Sequence, residues 1–175
     1  MKKISIAVLL FFVVLSSCKK DKPAGNYHVS FTVNGVNKTY TGFAVVHKET
    51  VSGSTTLTIL GGNSASSFDD YMGIYIDNSP TGADITAGQY EDNSATFTVL
   101  TTYANGGTDY ESGQSVAEDG IFYNVPIANH FKVNISSMDA NTAKGTFSGD
   151  YYADGDVQTG TKLTITNGDF YVKTQ

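Results

Sequence analysis

Three aspartates near the C-terminus have the residue type and spacing closest to those of a metal site. Asp150, Asp154 and Asp156 lie within one short segment, and carboxylate oxygens on a flexible loop are the ligands that Ca²⁺ prefers. The Asp-x-Asp-x-Asp-Gly spacing of an EF-hand loop, with its later Glu, is not met. Because Asp-Gly is also common turn chemistry between two strands, the pattern predicts a hairpin turn here, with Ca²⁺ binding as the alternative.

Tyrosine is the other residue type that points to a ligand. The chain has 11 tyrosines and no tryptophan, and an exposed tyrosine ring can stack on a sugar while its hydroxyl stays in water. Tyr71 and Tyr75 share one face of a predicted strand, and Tyr151 and Tyr152 precede the acidic turn. These four are candidate glycan-binding residues; the alternative is that they are half-buried strand residues, since tyrosine favours strands.

Sequence patterns that mark a catalytic centre do not occur. The chain has no Gly-x-Ser-x-Gly elbow, no His-Glu-x-x-His and no glycine-rich phosphate loop. Its three histidines, His28, His47 and His130, are far apart in the sequence. The many carboxylates leave open a hydrolase that uses two of them, although no spacing selects a pair. We therefore expect a non-catalytic domain, with a carboxylate-dependent hydrolase as the alternative.

The single cysteine ends an N-terminal segment of a different composition. Two lysines precede residues 4–15, which are all apolar except Ser5. A helix that spans a bilayer needs about 20 such residues, so this shorter run is typical of the apolar core of a secretory signal peptide. The small residues Ser16 and Ser17 follow it, directly before Cys18.

Residues 15–18 (LSSC) resemble the lipobox of bacterial lipoproteins. The resemblance implies that residues 1–17 are removed as a signal peptide and that Cys18 carries the lipid as a thioether. Several acyl chains, each stabilised by about 0.8 kcal/mol per buried CH₂, would anchor the protein firmly. Residues 18–26 are short, polar and lysine-rich, and we expect them to be a tether. The expected location is the outer membrane, in either leaflet, because the aspartate that retains lipoproteins at the inner membrane is missing after the cysteine.

Length and charge limit the remaining possibilities. The chain has 175 residues, a single-domain length, and a net charge of −6 from 11 basic and 17 acidic residues. This acidity excludes nucleic acid as a partner, because phosphate binding needs a basic surface. One cysteine excludes an internal disulfide framework. The remaining partners are the membrane, through the lipid, and a glycan or another envelope protein.

Apolar residues alternate with polar ones through residues 27–175. Residues 27–33 alternate strictly and end at Asn34-Gly35, a strong hairpin signal, and residues 38–46 form the expected partner strand. Six further strands are predicted, at residues 56–60, 71–77, 96–102, 121–125, 131–135 and 144–152, with a long terminal segment over residues 162–172. Asn167-Gly168 is predicted to be a turn or a bulge in that segment. Residues 104–120 are predicted to be a solvated hairpin excursion, with a binding loop as the alternative. The prediction is an all-β domain, an antiparallel sandwich or partly open barrel of eight to ten strands.

The β-region also resembles small lipoprotein domains of unknown function from Bacteroidota. The residues that carry this resemblance are 31–35 (FTVNG), 85–90 (ITAGQY), 145–149 (GTFSG) and 163–170 (LTITNGDF). The resemblance implies a β-sandwich-like lipoprotein and supplies no reaction or catalytic residues. We therefore expect a lipid-anchored envelope protein with a binding or structural β-domain.

Overall fold

The folded part of the chain is built from β-strands. The computed structural model describes residues 26–66, 69–79, 81–112, 127–157 and 159–175, and every regular element in them is a strand. The strands are β1 (His28–Val33), β2 (Val36–Tyr40), β3 (Phe43–Val51), β4 (Ser54–Gly62), β5 (Asp70–Asp77), β6 (Gly88–Glu91), β7 (Thr98–Asn105), β8 (Thr108–Ser112), β9 (Lys132–Met138), β10 (Thr142–Ala153) and β11 (Lys162–Thr174). The predicted all-β class is confirmed.

Two layers of strands share the long strands β10 and β11. All 11 strands belong to one hydrogen-bonded sheet. Its first layer has the order β2-β1-β11-β10-β9-β6, and its second has the order β3-β4-β5-β7-β8. The C-terminal end of β11 pairs in parallel with β3, while the C-terminal end of β10 pairs with β8. Since β10 and β11 are antiparallel, these two joints lie at opposite ends of their ribbon. The result is a sandwich-like fold whose two layers are hydrogen-bonded to each other at two opposite corners.

Aromatic and β-branched side chains from both layers fill the core. The ring of Phe31 on β1 lies 5.3 Å from that of Tyr103 on β7 and 6.0 Å from that of Phe147 on β10. The layers approach closely at Gly61 on β4, where a Cβ atom would lie 2.5 Å from the side chain of Val29 on β1. Burial of each large apolar side chain contributes about 1.5–3 kcal/mol, so this interior stabilises the sandwich.

Two strands occupy the region that was predicted to form one. The segment 38–46 is divided between β2 and β3, which belong to different layers. Gly42 lies at the crossing, where a Cβ atom would be only 2.1 Å from the carbonyl oxygen of Asn63. The glycine therefore permits a close backbone approach that the alternation pattern does not reveal. The turn predicted at Asn34-Gly35 is confirmed, with φ of 47° and 81°, the left-handed values of a tight hairpin turn.

A bulge interrupts the last strand where it was expected. The register of β11 shifts on both of its edges, between Ser30 and Thr32 on β1 and between Phe147 and Gly149 on β10. Asn167 has a φ of 52°, and a Cβ atom on Gly168 would lie 2.3 Å from the carbonyl oxygen of Phe147. The extra residue changes which side chains face the core, so Ile165 and Phe170 are both buried although their numbers differ by five.

The hairpin predicted within residues 104–120 is present over residues 104–112. Strand β8 pairs with β7 through a turn at Gly106-Gly107. Tyr110 faces inward, with its ring 6.1 Å from that of Tyr103, while the neighbouring acidic residues face out. These acidic side chains gave the segment its loop-like composition. Residues 113–126, which include the strand predicted at 121–125, lie outside the described residues, as do residues 1–25 with the signal peptide, Cys18 and most of the tether.

Candidate functional site

Three of the four candidate tyrosines lie on one face of the molecule. Along β5, Met72, Ile74 and Ile76 point into the core, so Tyr71 and Tyr75 point outward from the second layer. Cross-strand pairs run from Gly73 to Thr102 to Glu111 to Tyr152, and paired residues share a face. Tyr71, Tyr75 and Tyr152 therefore occupy the same outer surface, which we call the tyrosine face.

A shallow apolar band separates Tyr71 from Tyr75. The residue between them is Gly73, and the position of its missing Cβ atom lies 3.4 Å from Cε2 of Tyr71 and 3.4 Å from Cδ2 of Leu60. The glycine lets these two side chains fold over the strand. Leu100, one strand away, is 50% exposed. Tyr71, Tyr75 and Tyr152 are each half-buried, so the surface offers part of each aromatic ring and the exposed Leu100 to solvent on a hydrogen-bonded sheet.

Carboxylates on β8 border the tyrosine face. Burial raises the pKa of Tyr71, and the nearby Asp109 and Glu111 raise it further, whereas the Thr102 side chain lowers it. Tyr71 therefore keeps its phenolic proton at neutral pH and can donate a hydrogen bond. The pKa of Glu111 is raised by partial desolvation and by the carboxylates of Asp109 and Asp154. The rings thus lie beside a region of negative potential.

Tyr151, the fourth candidate, is a core residue, and its assignment as a ligand-binding residue is wrong. The side chain is fully buried, its ring meets that of Phe131 edge-on at 5.7 Å, and its hydroxyl donates to Sδ of Met72 at 3.5 Å. Residues 147 and 151 lie on the same side of β10 by simple alternation. The apolar Phe147 was therefore the sequence signal that Tyr151 points into the core.

The three aspartates of the predicted turn do not converge. Asp150 is buried and accepts hydrogen bonds from Thr164 Oγ1 at 2.9 Å and Lys162 Nζ at 3.2 Å. Asp156 accepts hydrogen bonds from the backbone and hydroxyl of Thr159 in its own loop, and Asp154 occupies a left-handed turn position with a φ of 55°. No cluster of three metal-ligating side chains occurs within the described ranges. The geometry favours the turn over the Ca²⁺ alternative.

Each histidine lies beside a different carboxylate. His28 Nε2 is 2.6 Å from Asp169, His130 Nδ1 is 2.6 Å from Asp92, and His47 is 3.9 Å from Glu49.

Ser30 also donates to Asp169, at 2.5 Å, which places a serine, an aspartate and a histidine together on β1 and β11. The serine and His28 both bind the same carboxylate, so the histidine is not hydrogen-bonded to the hydroxyl that it would need to activate. The arrangement is a structural cross-strand network.

Sequence reasoning missed a groove on the outer face of the first layer. Polar side chains from four strands line it: Gln89, Lys132, Asn134, Thr146, Ser148 and Asn167. Strict alternation in β9 and β10 and the predicted bulge at Asn167-Gly168 were the available signals. They do not show which strands are neighbours, so the groove could not be assembled from them.

Comparisons with known proteins identify no relative of this chain. No family model, no curated protein and no solved structure matches it. None of the described residues belongs to a helix with the length and apolarity of a membrane span.

Proposed function

We propose that this protein is a lipid-anchored lipoprotein of the outer membrane whose β-domain binds a glycan on the tyrosine face without catalysing a reaction. The anchoring part depends on the lipobox resemblance at Cys18. The binding part depends on one observation: Tyr71, Tyr75 and Tyr152 point outward from the same face of a rigid sheet.

The spacing of the three rings suits an extended ligand. The Cα atoms of Tyr71 and Tyr75, four residues apart on one strand, are about 13 Å apart at the usual rise per residue, and the Tyr71 ring folds over Gly73 between them. Tyr152 lies three strands from β5, about 14 Å away at the usual strand separation. The tyrosine face as a whole is therefore longer than a single sugar ring, and we expect it to contact more than one unit of an extended glycan.

Charge selects among glycans. Asp109 and Glu111 border the rings, and the chain is acidic as a whole. A polyanionic glycan would be repelled. The expected ligand is a neutral polysaccharide whose apolar ring faces stack on tyrosine and whose hydroxyls bond to the phenols and carboxylates.

Affinity electrophoresis in gels that contain neutral polysaccharides tests this binding. The double variant Tyr71→Ala/Tyr75→Ala should lose the retardation that the unaltered protein shows. Tyr171→Ala is the matched control, because Tyr171 is a half-buried tyrosine on the outer face of the other layer, in contact with Tyr27 and Lys144. Equal retardation of the double variant and the unaltered protein would refute the assignment, as would an equal loss in the control.

The anchor is tested by replacing the nucleophilic thiol. Cys18→Ala should abolish metabolic labelling by a fatty acid and shift the protein from the membrane to the soluble fraction. Ser16→Ala, which keeps a small side chain before the cysteine, should leave both properties unchanged. Membrane association that survives Cys18→Ala would disprove lipid anchoring through this residue.

A carboxylate-dependent hydrolase is the second candidate, favoured by one observation. Asp109 and Glu111 point to the same side of β8, and the pKa of Glu111 is raised, as a general acid requires. Their Cα atoms are about 6.6 Å apart by strand geometry. Glu111 is exposed on the sheet surface, where water competes for every contact, so binding ranks first. If the protein releases reducing sugar from a polysaccharide and the Glu111→Gln variant does not, the hydrolase becomes the first candidate.

A further inference from the structure

A polar groove crosses the outer face of the first layer, opposite the tyrosine face. Its volume is about 360 Å³, within the range of small-ligand sites. The side chains that line it come from β6, β9, β10 and β11, and they are Gln89, Lys132, Asn134, Thr146, Ser148 and Asn167, with Phe147 and Gly168 beneath them.

The bulge in β11 accounts for the depression. At this point two residues of β11 oppose the stretch of β10 between Phe147 and Gly149. A bulge bends the strand and increases its twist, and Gly168 adds no side chain to fill the space. A Cβ atom there would collide with Phe147, so the open floor is required by the backbone path.

Four of the groove's polar side chains have unused hydrogen-bonding capacity. Asn134, Thr146, Ser148 and Asn167 make no side-chain hydrogen bond to the part of the chain that the structure describes. On the same face, by contrast, Asp169 is engaged by Ser30 and His28. The groove therefore holds four side chains that are open to a ligand, while Gln89 and Lys132 in its lining are paired with Glu91.

The groove carries little net charge. Lys132 Nζ lies 3.3 Å from Glu91 Oε1, and Gln89 Nε2 donates to the same oxygen at 2.6 Å. The positive charge of Lys132 is thus balanced by the carboxylate of Glu91 at the rim of the groove. What remains are amide and hydroxyl groups, each able to donate and to accept.

We propose that this groove binds one pyranose unit of a neutral sugar through hydrogen bonds to Asn134, Thr146, Ser148 and Asn167. A sugar presents alternating donors and acceptors with no charge, which matches this lining. A peptide fits less well, because β9, β10 and β11 are each paired on both edges at the groove and leave no strand edge among them for an added backbone. The site is on the other layer from the tyrosine face and does not depend on it.

An NMR titration of the ¹⁵N-labelled protein tests the site. The probes are the methyl glycosides of glucose, galactose, mannose and N-acetylglucosamine at millimolar concentration. At least one should shift amide resonances of β9, β10 and the 167–168 bulge while leaving β4 and β5 unchanged. No shift with any of the four sugars, or shifts spread over both layers, would overturn the proposal.

Variants separate the groove from general surface effects. Asn134→Ala/Thr146→Ala should weaken binding of the active sugar at least about tenfold, the loss expected when one or more hydrogen bonds are removed. Thr39→Ala is the matched control. Thr39 lies in the same cross-strand row as Thr146 and Asn134 but outside the groove, so this variant should bind the sugar with unchanged affinity. An unaltered affinity in the double variant would overturn the site. Tyr71→Ala/Tyr75→Ala should bind the sugar in the groove normally. The proposal for the groove and the proposal for the tyrosine face can therefore fail independently of each other.

Discussion

Tyr40 and Tyr103 form a natural comparison for the value of a buried hydroxyl group. Both side chains are 1% exposed, and both rings contact Phe31, at 5.8 Å and 5.3 Å between centroids. The Tyr40 hydroxyl donates to Asp70 Oδ1 at 2.5 Å. The Tyr103 hydroxyl has no hydrogen-bond partner among the described residues. Replacing each by phenylalanine removes a hydrogen-bonded hydroxyl at Tyr40 and, at Tyr103, a buried hydroxyl that has only the nearby charges of Lys38 and Asp70.

The expected free-energy changes have opposite signs. A hydrogen bond to a charged group contributes about 1.5–3 kcal/mol, so Tyr40→Phe should lower the free energy of unfolding by about 2 kcal/mol. Asp70 keeps Asn63 at 3.1 Å and Lys38 at 3.5 Å, which limits the loss. An unpaired buried hydroxyl costs about 1–3 kcal/mol of desolvation, so Tyr103→Phe should leave stability unchanged or raise it by about 1 kcal/mol.

Urea denaturation followed by tyrosine fluorescence and circular dichroism measures the difference. With a Tm change of roughly 2–4 °C per kcal/mol for a domain of this size, Tyr40→Phe should melt roughly 4–8 °C lower, while Tyr103→Phe should melt at or above the original temperature. Equal m-values for both variants are required for the comparison. If Tyr103→Phe loses as much stability as Tyr40→Phe, its hydroxyl has a partner and the reasoning fails.

Three further predictions concern packing and pH. Gly145→Ala should cost about 1–3 kcal/mol of stability by overpacking, because the new Cβ atom would lie 2.3 Å from the carbonyl oxygen of Asn134. Gly62→Ala is the control and should not lose this stability, because its Cβ atom would have its nearest contact at 3.5 Å. Equal unfolding midpoints for the two variants would contradict this. The pKa of Glu111 is raised, so ionisation of this side chain costs folding stability as the pH rises above 4.5. Glu111→Gln should therefore be more stable than the original protein at pH 7. In denaturation experiments over a series of pH values, the difference in stability should disappear below pH 4.5. The pKa of Asp77 is lowered from 3.8 by hydrogen bonds from hydroxyl groups and a backbone N–H, so the ionised carboxylate stabilises the fold above pH 3.8 and this stabilisation is lost as the pH falls further. The stability that Asp77→Asn loses relative to the original protein should therefore be smaller in acid. A loss of stability that is the same at every pH would refute this.

Local sequence features predicted the strands and their faces well. In β5 the alternation of Met72, Ile74 and Ile76 with Tyr71 and Tyr75 identified the buried and exposed sides, because side chains of a strand alternate whatever its partners are. Asn34-Gly35 predicted its turn for a similarly local reason, since few residue pairs adopt two left-handed conformations in succession. The N-terminal prediction of a lipid anchor at Cys18 also depends on local order alone and remains to be tested.

Only the tertiary structure decided which strands are neighbours. Tyr152 joins Tyr71 and Tyr75 because the end of β10 pairs with β8 in the other layer, a contact between residues about forty positions apart in the chain. The polar groove likewise requires β6, β9, β10 and β11 to lie side by side. Alternation specifies which side of a strand is apolar, but pairing depends on backbone hydrogen bonds that are the same for every residue type. The sequence therefore determined the faces, and the packing of the two layers determined the surfaces that those faces build.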